Sequence, residues 1–356
     1  MLAIKSPLAY HHQAGLCNQV GELIRVFAQR IAILTSPRAW QAVEASVTAS
    51  LDNHGIQFEV HFLTGECTRT AVEYHRERIA QQQIQFVLGI GGGRVLDCAK
   101  AVADGLDNGQ VATLPTIAAT CAAWSPISIL YDEQGGHQGN YPLQRMPVMV
   151  LVDSSVIARS DARYLKAGIV DALAKWYEFQ PYQQNNGDSL ALNLKIQAAA
   201  FARDTFERWG EQAVRDNQDQ QVTIALQHVI DANIAGAGLA NSMRDEDPSP
   251  GVAHAIHNRL THLPELHHWL HGEKVGFGLL VQSILARGDG RPDNELLAQL
   301  RRYDAPLTLC APGEQQPEIA KYLASSFKFP AASADMLPFS LTPEAIEQAI
   351  LAAEKL

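Results

Sequence analysis

The sequence predicts a chain in two parts: an α/β domain with a mostly parallel sheet over residues 1–153, then an all-helical domain over residues 154–356. Three observations predict it. Before residue 153, short β-branched runs alternate with helix-spaced segments, the pattern of a parallel sheet covered on both faces. Three successive glycines, Gly91, Gly92 and Gly93, join one such run to a helical pattern. After Asp161 the β-type alternation fades, and long Ala-, Leu- and Gln-rich segments with few breakers replace it. A length of 356 residues also exceeds what one ordinary core supports.

Taken in order, strands are expected at 31–34, 57–63, 86–90, 111–114, 127–131 and 148–152, with helices from the first strand through Ala49 and over 71–82. The polar, glycine-rich stretch after Tyr131 is expected to form a hairpin. In the second part, helices are expected over 189–209, 220–235 and 343–355, and the acidic, proline-rich run 244–251 reads as a loop. The boundary is expected near Ser154.

Composition narrows the class. Hydrophobic residues at 47% and charged residues at 19% describe a folded globular protein. Lys and Arg number 28 against 38 Asp and Glu, a net charge of −10, so no nucleic-acid partner is expected. Cys17, Cys67, Cys98, Cys121 and Cys310 are scattered, with no C-x-x-C pair, and are expected to be reduced thiols. The first residues lack the charged-then-apolar pattern of a signal peptide and no stretch reaches the apolar length a bilayer needs, so no membrane partner and a cytoplasmic location are expected.

The segment from Gly89 to Lys100 joins a buried-type strand to an amphipathic helix. Glycines there permit positive φ and close approach, and the free N–H groups of a helix N-terminus suit a pyrophosphate. Asp97 is expected in the first helical turn and Lys100 one turn on, facing the same site. The spacing is not G-x-G-x-x-G, and a plain tight connection is the alternative.

A second constellation is histidine-rich. His254, His257 and Asn258 fall on one helical face, and His271 follows His254 by seventeen positions, room for a helix, a turn and the start of another helix. Neutral imidazoles ligate borderline divalent metals, and Asp171, set in an apolar helical segment, offers a carboxylate for a three-ligand site with open positions. The alternatives are that Asp171 caps a helix and that His262, His267 and His268 are surface residues.

Together these segments resemble the iron-containing alcohol dehydrogenase superfamily, in its glycerol dehydrogenase-like branch. The resemblance rests on Gly91-Gly92-Gly93 with Asp97 and Lys100, Pro115-Thr116-Ile117-Ala118-Ala119-Thr120, the segment Gly168 to Glu178, His254-Ala255-Ile256-His257-Asn258, and His271-Gly272-Glu273-Lys274-Val275. It implies the dehydroquinate synthase-like fold, in which a dinucleotide-binding α/β domain and a helical metal-binding domain enclose a cleft. By resemblance, Asp171, His254 and His271 hold a divalent cation, zinc or iron, and form the catalytic centre, with His257 beside it. Gly91, Gly92, Gly93, Asp97, Thr116, Ser125 and Tyr131 match positions lining NAD(H) or NADP(H). A homo-oligomer acting on a small molecule is likewise implied.

Two departures from the resemblance bear on specificity. Polyol-oxidising relatives carry Thr-Asp after the Pro-Thr-Ile-Ala segment, where this chain has Thr120-Cys121-Ala122-Ala123-Trp124-Ser125. Losing that carboxylate removes a hydroxyl acceptor and a negative charge. The segment is similar to the hydroxycarboxylate dehydrogenase subgroup, which reduces 2-oxo acids, and Cys121 and Trp124 are therefore expected at the substrate; a small buried thiol without a role is the alternative for Cys121. At the end of the first predicted strand, Ser36 replaces an aspartate common in NAD-preferring relatives, and Arg38 follows; NADPH is expected to be used and preferred. Arg259 is expected to be an exposed helix charge.

The leading expectation is a metal-dependent NAD(P)H oxidoreductase interconverting 2-oxo and 2-hydroxy acids. A glycerol, polyol or simple alcohol dehydrogenase is the alternative. A dehydroquinate synthase-like lyase is less favoured, because only Arg244, Arg259 and Lys274 lie near the two histidines in sequence. A non-catalytic nucleotide-binding protein has no reason to keep three ligands.

Overall fold

The computed structural model describes residues 2–309 and 316–356, so Cys310 lies outside the described residues. Its strands are β1 (Ala3–Ile4), β2 (Ala9–Gln13), β3 (Arg30–Thr35), β4 (Gln57–Phe62), β5 (Phe86–Gly91), β6 (Gln110–Pro115), β7 (Ile127–Tyr131), β8 (His137–Pro142), β9 (Met149–Asp153) and β10 (Met243–Arg244). Six of them form one parallel sheet in the order β2-β9-β6-β5-β3-β4. Helices Pro37–Asn53, Arg69–Gln81 and Gly93–Asp104 connect its successive strands, as the alternating pattern requires. The interior strands β3, β5 and β9 are buried almost throughout, which is why they read as unbroken apolar runs rather than alternations.

The sheet departs from expectation at its edge. β2, with the sequence Ala-Tyr-His-His-Gln, pairs in parallel with β9, although no apolar run marks it; an edge strand needs little burial, so its sequence carries little signal. The expected hairpin forms within the polar stretch itself, β7 pairing with β8, while β9 leaves it for the main sheet.

Chain direction makes the site. β4 lies on one side of β3 and β5 on the other, so the strand order reverses between β3 and β5, and the carboxyl ends beside such a reversal form a crevice. Ser36 follows β3, Gly92 follows β5 and Thr116 follows β6; all three therefore stand at that crevice.

Beyond Asp153 the described residues are helical apart from β10. Helix Ala162–Phe179 packs on helices Leu190–Gln218 and His271–Arg287, and Val252–Leu260 packs on the last of these. The expected 220–235 helix is instead Ile224–Asp231, which passes through a π-helical turn, Ala232–Gly236, into Ala237–Ser242. From that turn Asn233 donates to Ala118 O at 2.8 Å and Leu165 O at 3.4 Å, joining the loop after β6 to the helix that carries Asp171. Val150, Val152, Leu96 and Ala118 share one apolar core with Ile169, Val170 and Leu173, so the helical part packs directly on the α/β part.

Asp153 locks the end of β9. Its buried carboxylate accepts from Gly15 N, Cys17 N and Ser155 N, each at 2.9 Å. These are charge-assisted bonds, and removing the carboxylate leaves three backbone donors without their partner. Asp153→Ala is expected to destabilise the fold by about 2–4 kcal/mol, read as a lower urea midpoint with an unchanged slope.

Candidate active site

Asp171 lies midway along helix Ala162–Phe179 and is buried. It is not a cap; Asp161 caps that helix, accepting from Arg163 N at 2.9 Å. Asp171 Oδ1 lies 3.2 Å from His254 Nε2, 3.3 Å from His271 Nε2 and 3.5 Å from Lys175 Nζ. One ligand atom from each of Asp171, His254 and His271 falls within 4.8 Å of the others. The two imidazoles are 30% and 27% exposed while the carboxylate is 3% exposed. Two nitrogens and one oxygen, open on one side, fit a borderline divalent cation that keeps positions for a substrate.

The helices meet in this way for local reasons. Helix Val252–Leu260 begins at Gly251, which has no capping side chain. A Cβ on Gly251 would lie 1.9 Å from Glu178 Oε1, so only glycine lets this helix end abut the Asp171 helix. Glu178 then supplies the cap, accepting from His254 N at 2.9 Å. The same carboxylate accepts from His254 Nδ1 at 2.8 Å, which directs Nε2 toward Asp171 and suits it to ligate a cation. His271 opens its own helix, where Glu273 accepts from Leu270 N at 2.7 Å and from Arg163 Nε at 2.6 Å.

The electrostatics follow from burial. Burial alone would raise the Asp171 carboxyl, but Lys175 and the two imidazoles hold it well below the usual carboxylate range. Burial opposes charge on His254, yet Glu178 and Asp171 push its imidazole up to about 9. His257, fully enclosed and with its ring 4.2 Å from that of His271, is driven well below the ordinary histidine value by burial and by the two neighbouring imidazoles. Its Nδ1 donates to Asn258 Oδ1 at 3.0 Å, leaving Nε2 as the ring's acceptor.

At the glycine turn, Gly91 has φ +155°, a region side chains rarely adopt, and a Cβ there would press on Val95. Helix Gly93–Asp104 starts after Gly92 with no side-chain cap, so its first N–H groups point into the crevice and fit a pyrophosphate. Thr116 N donates to Gly91 O at 3.1 Å, closing the neighbouring loop onto the turn.

Asp97 falls in the second helical turn rather than the first, and Lys100 does not face the crevice. The two form a buried ion pair at 2.9 Å. Lys100 Nζ donates to Ser125 O at 3.0 Å and Ile127 O at 2.6 Å, and Asp97 Oδ2 accepts from Ile129 N at 3.2 Å. They pin the start of the β7–β8 hairpin against the glycine-turn helix. Tyr131, on that hairpin, is half-buried with its ring 6.3 Å from that of His137.

Cys121 is buried, its thiol raised by burial while facing the charges of Lys175 and Asp171, and its Sγ lies 3.5 Å from Asn241 Nδ2. Trp124 packs away from the three ligands: its indole donates to Ser242 Oγ at 3.0 Å and its ring meets Tyr10 at 5.8 Å. Ser36 caps helix Pro37–Asn53, accepting from Ala39 N at 3.4 Å, and Arg38 is exposed. Arg259 is not the expected exposed charge but half-buried, and His262, for which a surface position was the alternative, is half-buried beside it. Lys175 and Glu178 were not among the expected site residues. Their signal was present as three charged residues, Asp171, Lys175 and Glu178, at helical spacing in an otherwise apolar segment.

The family model for iron-containing alcohol dehydrogenase matches residues 7–154. A glycerol dehydrogenase from Pseudomonas putida is 32% identical over 99% of this chain and 97% of the relative. The chain belongs to the iron-containing alcohol dehydrogenase superfamily, in its glycerol dehydrogenase-like branch. Hydroxycarboxylate dehydrogenase A from Escherichia coli K12 is 37% identical over 87% of this chain and 86% of its own length. The solved structure of a probable glycerol dehydrogenase from Sinorhizobium meliloti 1021 superposes with a TM-score of 0.86 at 27% identity, covering 99% of this chain and 98% of that one. The protein is thus an oxidoreductase, a metal-dependent dehydrogenase of this superfamily. Among the described residues no helix is long and apolar enough to cross a membrane.

Because Glu178 orients His254 without being placed as a ligand, Glu178→Gln is expected to weaken Zn(II) binding by about 10–100-fold while the protein stays folded. Titration calorimetry on metal-free protein measures this; equal affinity in variant and wild type rules out the orienting role.

Proposed function

We propose that this protein is an NAD(P)H-dependent reductase of 2-oxo acids, working reversibly on 2-hydroxy acids. The observation that carries the substrate class is position 121, where a buried neutral thiol faces Asp171 and Lys175 and adds no carboxylate of its own to repel an anionic substrate. The likeness to a hydroxycarboxylate dehydrogenase supports the same reading. The glycerol dehydrogenase relatives support a polyol substrate as the second reading.

In this reading Asp171, His254 and His271 hold zinc or iron, and residues 1–153 serve the dinucleotide while 154–356 serve the metal and substrate. A divalent cation there supplies Lewis acidity to a substrate oxygen, and the nicotinamide supplies or accepts the hydride. Lys175 compensates the buried Asp171 charge, and Glu178 keeps His254 Nε2 directed inward. Gly91, Gly92, Gly93, Thr116, Ser125 and Tyr131 line the dinucleotide, and Asp97 acts by holding the hairpin that carries Tyr131. Cys121 and neutral His257 border the substrate, with Trp124 as the support behind Cys121. Exposed Leu190, Phe201 and Ile224 on the helical part supply apolar surface for a homo-oligomer.

Metal-loaded protein is expected to oxidise NADPH with 2-oxo acids, and Cys121→Asp is expected to lower kcat/KM for them by about tenfold or more relative to dihydroxyacetone. A wild type that prefers dihydroxyacetone would instead establish the polyol reading.

Ser36 stands where a carboxylate would meet a ribose 2′-phosphate. Ser36→Asp is expected to lower the NADPH-to-NADH ratio of kcat/KM by about tenfold or more. A ratio unchanged by the substitution places the 2′-position elsewhere.

A further inference from the structure

Beside the three-ligand centre lies an open cavity of ≈ 420 Å³ bounded by His137, Asn258, Arg259, His262 and Lys328, together with Gln138 and Ala255. Its volume is within the range of small-molecule sites, and its lining is cationic in a chain of net charge −10. We infer that this cavity seats a second anionic group of the substrate, distal to the reacting carbonyl. The inference rests on the reading that the carbonyl reacts at Asp171, His254 and His271.

Three observations carry it. Arg259 is half-buried, yet among the described residues no carboxylate lies within ion-pair distance of it or of Lys328. A cation drawn partly out of water without a counter-charge is a site for an anion, and guanidinium binds carboxylate or phosphate oxygens in pairs. Second, the guanidinium is held in place: Arg259 Nη2 donates to His262 Nε2 at 2.8 Å, and Nη1 reaches Ser326 O at 3.5 Å. Burial and then Arg259 keep the His262 imidazole low, so His262 accepts rather than repels; Asp132, near His262, is engaged by Gln134 N and Gly136 N.

Third, the cavity adjoins the reaction centre. Asn258 borders it and binds His257, whose ring contacts that of His271. On helix Val252–Leu260, Asn258 stands one turn from His254 on the same face and lines the cavity next to Arg259. A substrate with its carbonyl at His254 and His271 therefore extends along this helix before meeting Arg259. That geometry selects a distal anion, whether the carboxylate of a 2-oxo diacid or the phosphate of a phosphorylated ketone.

Two substrate pairs differing only in the distal group test this: 2-oxopentanoate against 2-oxoglutarate, and dihydroxyacetone against dihydroxyacetone phosphate. In at least one pair the anionic member is expected to have about tenfold or more higher kcat/KM. Arg259→Met is expected to bring that pair to near parity and Arg259→Lys to restore part of the gap. Lys328→Gln, on an exposed rim residue, is expected to give a smaller loss that fades with added salt. Calorimetry provides a readout without turnover, with glutarate or inorganic phosphate binding the metal-free wild type and not the Arg259→Met variant. If only the phosphate pair responds, the 2-oxo acid reading fails while the cavity's role stands. If neither pair favours its anionic member, or the preference survives Arg259→Met, the inference is overturned.

Discussion

A carboxylate sealed inside a helical core has to be neutralised on the spot, and around Asp171 that requirement organises the site. Lys175 from the same helix and His254 and His271 from two others all approach one oxygen. Removing a charge from water is costly unless every partner is in place, so the positions of three helix segments are coupled through a single group. Glu178 extends the coupling, since one carboxylate both caps the His254 helix and fixes the His254 ring.

The α/β part packs against the same centre. The loop after β6 is held from the helical side by Asn233 and from the sheet side by Thr116 bonding to Gly91. It carries Cys121 to the neighbourhood of Asp171 and Ser125 to the buried Asp97–Lys100 pair. The positive φ at Gly91 and the uncapped helix after it sit at the reversal of strand order, where the parallel sheet opens a crevice. The crevice at the glycine turn and the Asp171 centre thus share one loop.

Much of this was legible in the chain. The interior strands announce themselves because both faces are buried, and the glycine turn because no side chain can occupy it. The three expected ligands do converge. The edge strand β2 was not legible, because its polar residues satisfy no periodicity and its pairing is decided by β9. Nor was the fate of Asp97 and Lys100, whose charges look suited to a ligand yet turn inward to carbonyls of the hairpin. Trp124 and Arg259 show the same ambiguity in opposite directions: one looks like a pocket wall and is packing, the other looks like a surface charge and borders a cavity.

By itself, the sequence determined the alternation that makes a parallel sheet, the glycines that leave room for a pyrophosphate, and the residue types able to hold a cation. Those are local properties, set by periodicity, side-chain volume and donor chemistry. Only the tertiary structure decided which charges face one another. Asp171 and His254 are 83 residues apart, and Arg259 acquires its surroundings from the β7–β8 hairpin and from Lys328. Whether a charge becomes a ligand, a strut or a receptor for an anion depends on which other groups are brought near it after water has left, and sequence spacing does not encode that.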